Sequence, residues 1–145
     1  MNTATNNPIL KVVLDTNVIV SALNFSGFPS RVLGLAARGN IRNVISTHIL
    51  NEVERILHDK FSWGLLEAQA AANWLKLISK QVHPKTRFHI IFDEADNRVL
   101  ECAREGNADF IVSGDHHLTD LKTFQGTQIV TPADFLSAFA AQHKT

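Results

Sequence analysis

The stretch KVVLDTNVIVSAL, residues 11–23, joins a strand pattern to a helix pattern through a single acid. An apolar run at residues 12–14 stops at the carboxylate of Asp15, and a second apolar run begins at Val18. The β-branched run before the acid predicts a buried strand, and the residues after it predict a helix. Asp15 therefore falls at the carboxyl end of a strand, where open α/β sheets bind their ligands.

Further along the chain, short apolar runs alternate with helical patterns. Strands are predicted in RNVIS (42–46), ADFIVSGD (108–115) and TQIVT (127–131), and QVHP (81–84) is either a strand or a loop. The alternation predicts the α/β class, as a single-domain three-layer α/β/α fold with a parallel central sheet. The domain is expected over residues 9–140, between a loose leader at 1–8 and a tail at 141–145.

Helices are predicted at 16–23, 29–38, 48–59, 62–80, 93–106 and 132–139. Ser46 or Thr47 is expected to cap the third of them, and Gly106 to end the fifth. The helix at 62–80 is expected to carry its apolar positions at Leu66, Ala70, Trp74 and Leu77.

Composition narrows the class of protein. A chain of 145 residues that is 45% hydrophobic can form one domain with a sizeable core. The formal net charge is zero, so an overall basic signature of nucleic-acid binding is missing, although a local groove can still be basic. The start of the sequence does not read as a signal peptide, and no apolar run approaches the roughly 18 residues of a membrane span. We expect a soluble cytoplasmic protein with no membrane association.

Four acids stand at positions that core-building alone does not explain. Asp15 and Asp115 each follow a predicted strand, and Glu52 lies at the border of an apolar helical stripe. Asp96 shares the i, i+3, i+4, i+7 spacing of Val99, Leu100 and Ala103, so its carboxylate points where the core-facing side chains point.

Each acid also has a structural interpretation. Asp15 and Asp115 can be turn residues or helix caps, and Glu52 can pair with Arg55. Asp96 can occupy the third helical position behind a cap at Asp93, where the helix dipole favours an acid.

Convergence of the four acids in one cleft favours a metal site. Unpaired carboxylates close together repel one another and raise each other's pKa, and a bound dication removes that cost. Oxygen ligands select Mg²⁺ or Mn²⁺ over zinc.

Three blocks of the sequence resemble, in order, the motifs of PIN-domain proteins, and most closely the VapC-like ribonucleases of the toxin branch of toxin–antitoxin systems. These blocks are VVLDTNVIVSAL, ISTHILNEVERIL and DEADNRVLECAREGNADFIVSGDHHL, and the resemblance runs from about Ile9 to about Phe139. It implies a Rossmann-like fold and a metal-dependent ribonuclease that leaves a 3′-hydroxyl and a 5′-phosphate.

The resemblance also implies roles for individual residues. The catalytic acids would be Asp15, Glu52, Asp96 and Asp115. Asp15, Asp96 and Asp115 would bind the metal, and Glu52 would either bind it as well or orient the attacking water. Thr16, Asn17 and Ser113 would orient these ligands. Asp93 and Glu94 compete with Asp96 for the third position, and Asp120 is a further acid that more readily fits the surface.

The expected partners are an RNA substrate, a small antitoxin protein and a second copy of the chain in a homodimer. The alternatives are an RNA-processing nuclease outside any toxin pair, or a PIN fold that binds without turnover. A phosphatase that forms an aspartyl-phosphate would want a second aspartate two residues after Asp15, where Asn17 stands. The basic residues Arg31, Arg38, Arg42 and Arg98 are each expected to be solvated surface charges.

Overall fold

The computed structural model describes residues 8–143, and strands and helices alternate along them. The strands are β1 (Lys11–Leu14), β2 (Arg42–Ser46), β3 (Ser79–Val82), β4 (Phe110–Val112), β5 (Thr123–Phe124) and β6 (Thr127–Val130). The helices are α1 (Thr16–Asn24), α2 (Phe28–Ala37), α3 (Thr47–Phe61), α4 (Leu65–Ile78), α5 (Glu94–Glu105), α6 (His116–Thr119) and α7 (Pro132–Gln142).

The six strands form one sheet in the order β3-β2-β1-β4-β6-β5. The predicted parallel sheet is confirmed for five strands, and QVHP contributes to the strand β3. The short edge strand β5 runs antiparallel to β6, which the sequence did not predict. Gln125 and Gly126 join the two strands with φ values of 49° and 86°, which suits a two-residue hairpin turn.

The path of the chain explains where the layers and the ligand-binding edge lie. The chain moves outward from β1 through β2 to β3, and then returns to the other side of β1 to form β4. Parallel crossovers are right-handed, so α1 to α4 cover one face of the sheet and α5 covers the other. The reversal between β1 and β4 makes their carboxyl ends a topological switch point.

The core is built on the central strands and the helices that cover them. Residues 12–14 of β1 and residues 111–112 of β4 are buried, as expected for strands covered on both faces. Gly106 follows α5 at its C-terminus, as predicted, and a Cβ atom at this position would lie 2.5 Å from Cγ1 of Val44. Glycine is therefore needed here because the end of α5 approaches β2 so closely.

The apolar face predicted for α4 is wrong. Its buried residues are Ala68, Ala72 and Leu75, whereas Leu66 is 81% exposed and Leu77 is 83% exposed. The helix also ends at Ile78, earlier than predicted, because residues 79–82 pair with β2. Small alanines on the inner face let α4 pack closely against α3, and the larger apolar residues are left facing solvent.

The limits of the domain are only partly described. Residues 1–7 of the expected leader and residues 144–145 of the expected tail lie outside the described residues, and α7 extends to Gln142. Within residues 8–143, no single helix has the length and hydropathy to cross a membrane. The pair α1 and α2 meets these criteria only jointly, and the two helices are bent by 96° at their junction.

Candidate active site

The carboxyl ends of β1 and β4 lie side by side at the switch point. Leu14 pairs with Val112 in parallel register, and the amide of Asp15 donates to the carbonyl of Val112 at 3.0 Å. Asp15 and Ser113 directly follow these two strands, so they leave the sheet side by side. The structure thus brings the first and last predicted sequence blocks to one edge.

Asp15 is buried at this edge, with 5% of its surface exposed. It caps α1 by accepting a hydrogen bond from the amide of Asn17 at 3.4 Å, and the hydroxyl of Ser113 donates to its Oδ2 at 2.7 Å. Burial raises the pKa of Asp15, the two hydrogen bonds lower it, and the charges of Asp115 and Glu52 raise it further; the net direction is upward.

Asp96 reaches the same place from the first turn of α5. Asp93 caps the helix by accepting from the amide of Ala95 at 3.0 Å, which puts Asp96 at the third helical position. Asp96 is 5% exposed, and its Oδ2 atom has no hydrogen-bond partner among the described residues. Burial and the like charges of Asp115, Asp15 and Asp93 raise the pKa of Asp96 to about 7.

Asp115 connects the buried acids to solvent. Its side chain is 27% exposed and caps α6 by accepting from the amide of His117 at 2.9 Å. Burial disfavours its ionised form, but the hydrogen bond from His117, the interaction with Asp96 and the neighbouring imidazoles outweigh it, so the pKa is lowered. Asp115 therefore keeps its negative charge, and Asp96 is the member of the pair that takes up a proton.

The imidazoles of His116 and His117 lie on the solvent side of Asp115. The ligand atoms of these three residues lie within 4.8 Å of one another, and Nδ1 of His117 is 3.2 Å from Oδ1 of Asp115. Both histidines are exposed. They form a group of potential metal ligands that shares Asp115 with the buried acids.

Glu52 stands farther from the three aspartates. It lies on α3 with 18% of its side chain exposed, and its nearest cation is Arg55 at 3.9 Å. Its charge still acts on Asp15, where it is the smallest of the influences that raise the pKa. The sequence allowed Glu52 either to pair with Arg55 or to join the acidic site. In the structure it does both, because it lies near Arg55 and its charge acts on Asp15.

Unpartnered buried oxygens indicate that the acidic edge fits a hard cation. Thr16 is 2% exposed, and its hydroxyl, like Oδ2 of Asp96, has no hydrogen-bond partner in residues 8–143. The buried donors that converge here are all oxygens, which suits Mg²⁺ or Mn²⁺. Asn17 contributes its main-chain amide to Asp15, while its own side chain is exposed.

Two buried residues of α5, which the sequence pattern did not predict to have a role, hold the segment at residues 83–92, which we call the strap. Asn97 accepts from the amides of Ile90 and Ile91 at 2.9 and 3.0 Å and donates to the carbonyl of Ile91 at 2.7 Å. Glu101, 4% exposed, accepts from the amide of Phe88 at 2.8 Å. These bonds give the strap a fixed path without secondary structure of its own.

The interpretation of Arg98 as a solvated surface charge is wrong. Its side chain is only 12% exposed and lies between Glu94 at 3.1 Å and Glu101 at 2.8 Å. It also donates to the carbonyl of Phe88 in the strap at 3.3 Å. Arg98 is thus part of the network that holds the strap and neutralises the buried Glu101.

Replacing Asn97 by alanine is expected to destabilise the protein by about 1–3 kcal/mol, because three hydrogen bonds to the strap are lost and the freed main-chain groups are left partly buried. Urea unfolding followed by circular dichroism measures this change. Asn73→Ala, at an exposed position of α4, is the matched control and should leave the unfolding midpoint nearly unchanged. Equal midpoints for the two variants would contradict the assigned role of Asn97.

With this geometry established, comparison with known proteins identifies the family. Residues 11–117 match the PIN domain. This chain belongs to the PIN-domain family. It is 32% identical over 143 residues to uncharacterized protein MJ1680 of Methanocaldococcus jannaschii, covering 90% of this chain and 92% of that protein.

A solved structure shares the PIN fold described above. One chain in the crystal structure of VapBC2 from Rickettsia felis, bound to a DNA fragment from their promoter, superposes with a TM-score of 0.57. The identity is 17%, and the match covers 83% of this PIN domain protein and 97% of that chain. The resemblance to PIN-domain proteins is confirmed at the level of family and fold.

Family membership gives the acidic edge a chemical context. PIN domains are generally nucleases, which are hydrolases, and they generally use divalent metals. Because this chain has a PIN domain, the edge formed by Asp15, Asp96 and Asp115 is a candidate nuclease centre.

Proposed function

We propose that this PIN-domain protein is a cytoplasmic, Mg²⁺- or Mn²⁺-dependent endoribonuclease that hydrolyses RNA phosphodiester bonds. The observation that carries the proposal is the convergence of three carboxylates, from the ends of β1 and β4 and from α5, with a buried oxygen of Asp96 that has no partner in the described part of the chain. A dication satisfies that oxygen and removes the mutual repulsion of the acids.

The roles of the side chains follow from their positions. Asp15, Asp96 and Asp115 would hold the ion, with Ser113 and Thr16 beside them, and Asn17 would fix Asp15 through its amide. When bound, a dication supplies charge neutralisation for the scissile phosphate and lowers the pKa of water. Glu52, at the edge of the cluster, would orient the attacking water or accept its proton. The products would carry a 3′-hydroxyl and a 5′-phosphate.

Removing the metal tests this proposal. End-labelled structured RNAs should be cut by the purified protein in Mg²⁺ or Mn²⁺, and cleavage should stop in EDTA and return when either ion is restored. Ligation or phosphatase treatment of the fragments identifies their ends. Cleavage that persists in EDTA, or fragments that carry 2′,3′-cyclic phosphates, would contradict the proposed chemistry.

Ser113→Ala tests the support of the acids. Ser113 donates to Asp15 and accepts from the amide of Asp115 at 2.9 Å, so it fixes two of the three acids. Groups that orient metal ligands typically contribute 10–100-fold in activity or metal affinity, and we expect a loss of about that size in Mn²⁺-dependent cleavage. Ser113→Thr, which keeps the hydroxyl, should retain more activity than Ser113→Ala; the reverse order would contradict this role.

We further propose that the nuclease is the toxin of a toxin–antitoxin pair, blocked by a small antitoxin protein, and that it forms a homodimer. The support is the fold shared with the VapBC2 structure and the large apolar residues Leu65, Leu66 and Leu77 on the exposed side of α4. Expression of the chain should arrest growth, and co-expression of an adjacent small reading frame should relieve the arrest. If the protein is instead a processing nuclease outside any toxin pair, neither the growth arrest nor its relief is expected. Light scattering on the purified chain tests separately whether it forms a dimer.

A further inference from the structure

A cavity of about 330 Å³ lies between the strap and the start of α3, outside the cluster of acids. We propose that the strap and this cavity bind the backbone of a single-stranded RNA substrate on one side of the catalytic carboxylates. The proposal rests on the proposed nuclease function and adds to it the residues that hold the substrate and the class of RNA that fits.

Strand register puts the cavity at the same edge of the sheet as the acids. Ser46 and Val82 pair at the ends of β2 and β3, and both line the cavity. Continuing the register of β1 and β2 by three residues from Val12 and Asn43 places Asp15 beside Ser46. Neighbouring strands are about 4.8 Å apart, so the cavity begins about one strand away from Asp15.

His48 connects the cavity to the catalytic side. It lines both the cavity beside the strap and a smaller cavity of about 170 Å³ that contains Glu52. His48 lies in the first turn of α3 and is exposed. A strand that crosses the acids can therefore continue past Glu52 and His48 into the larger cavity.

The charge of the lining suits phosphates. Lys85 and Arg87 are exposed on the strap, and the ammonium group of Lys85 has no ion pair among residues 8–143. Arg87 lies 3.9 Å from the buried Glu101, whose charge is already balanced by Arg98 at 2.8 Å. Both strap cations are thus available to a ligand, and their backbone is held, since the amide of Lys85 donates to Glu105 at 3.1 Å.

An exposed aromatic residue at the other end of the strap favours a single strand. Phe92 is fully exposed and directly precedes Asp93, the cap of the helix that carries Asp96. Unstacked bases bind to exposed aromatic rings, whereas the bases of a duplex are already stacked on one another. The strap thus carries two cations at the cavity and an exposed ring next to the helix of Asp96, a combination that matches an unpaired RNA strand.

Binding of a short fluorescein-labelled single-stranded RNA to the full chain in EDTA, followed by fluorescence anisotropy, tests the proposal without turnover. Lys85→Ala/Arg87→Ala should weaken binding roughly tenfold and reduce the slope of log Kd against log salt by about 1.4, the value for two phosphate contacts on a single strand. The matched control, Arg38→Ala/Arg42→Ala, removes the same charge from the amino end of the sheet and should bind like the wild type.

Two further arms identify the ligand. Phe92→Ala should weaken binding of the single strand roughly tenfold and leave binding of a duplex of the same sequence unchanged. In Mn²⁺, the strap variant should raise KM and leave kcat within about twofold of the wild type. Thermal unfolding checks that each variant keeps its fold, and Lys85→Gln/Arg87→Gln repeats the test with longer side chains.

The proposal is overturned if the strap variant binds RNA like the wild type, or if the control pair loses as much affinity. The same anisotropy measurement with a labelled polyglutamate peptide tests an acidic protein partner. The proposal is also overturned if the strap variant binds this peptide more weakly than the wild type does but binds RNA equally well. A wild type that binds RNA through the strap but cuts none in Mn²⁺ would contradict the nuclease function and leave the strap assignment standing.

Discussion

Asp96→Asn is expected to abolish metal-dependent RNA cleavage and to make the metal-free protein more stable at neutral pH. The variant removes one negative charge from the residues that would hold the ion. A bound ion stabilises the transition state by several kcal/mol, and the loss of that stabilisation lowers the rate by about a thousandfold. The variant also removes a carboxylate that burial and three neighbouring acids disfavour, which is why the folded state gains. Initial cleavage rates in Mn²⁺ and melting temperatures in EDTA measure the two effects on one protein.

Asp120→Asn is the matched control for this variant. Asp120 is an exposed acid just beyond α6, and the same change there should leave both the rate and the melting temperature nearly unchanged. An Asp96→Asn protein that cuts RNA at the wild-type rate would contradict the assignment of Asp96 as a metal ligand. One that is inactive but less stable than the wild type in EDTA would contradict the account of repulsion among the acids.

The metal-free protein is expected to lose stability as the pH rises from about 4 to about 7. The pKa of Asp96 is about 7 in the folded protein against 3.8 for an ordinary aspartate, so the folded state binds more protons than the unfolded state across this window. The free energy of unfolding therefore falls as the pH rises, by about 3 kcal/mol from this group. The raised pKa of Asp15 acts in the same direction, and the lowered pKa of Asp115 opposes it.

Urea unfolding in EDTA at a series of pH values measures this dependence, with Asp96→Asn as the reference that lacks the group. The difference in unfolding free energy between the variant and the wild type should grow with pH between about 4 and 7 and then level off. Millimolar Mn²⁺ at pH 8 should stabilise the wild type and leave the variant nearly unaffected. A difference that stays constant across the pH range would contradict the buried, protonated state of Asp96.

The fold and the convergence of the acids followed from two short-range patterns. Apolar runs that end at Asp15 and Asp115 predict strand ends, and strand ends of a parallel sheet meet at one edge. The helical phase of Asp96 relative to Leu100 and Ala103 predicts its inward direction, and the structure places it beside the other two aspartates. The catalytic role of these residues stays a prediction.

The face of α4 was not predictable from spacing alone. Leu66, Trp74 and Leu77 form a regular apolar stripe, but Ala68, Ala72 and Leu75 form a second one on the other side of the helix. A helix with two apolar stripes buries the one whose size fits the neighbouring helix, and that depends on α3. Hydropathy alone therefore favoured the larger residues, which the fold leaves exposed.

The network that holds the strap was missed because its contacts join a segment without periodicity to the polar side of a helix. Asn97, Arg98 and Glu101 look like surface residues of α5 when only the core stripe is considered. The available signal was the strap itself, since residues 83–92 carry main-chain groups that need partners and predict no element of their own. Polar residues on the adjacent helix were the nearest side chains that could supply them.

The proposed nuclease centre requires that Asp15, Asp96 and Asp115 hold one hard dication. The most direct test is the anomalous difference map of a crystal of the full chain soaked in Mn²⁺. We expect a peak within bonding distance, about 2.1 Å, of oxygens from Asp15 and Asp96 as well as Asp115. A peak on Asp115, His116 and His117 that touches neither Asp15 nor Asp96 would contradict the claim, as would a map with no peak at this edge.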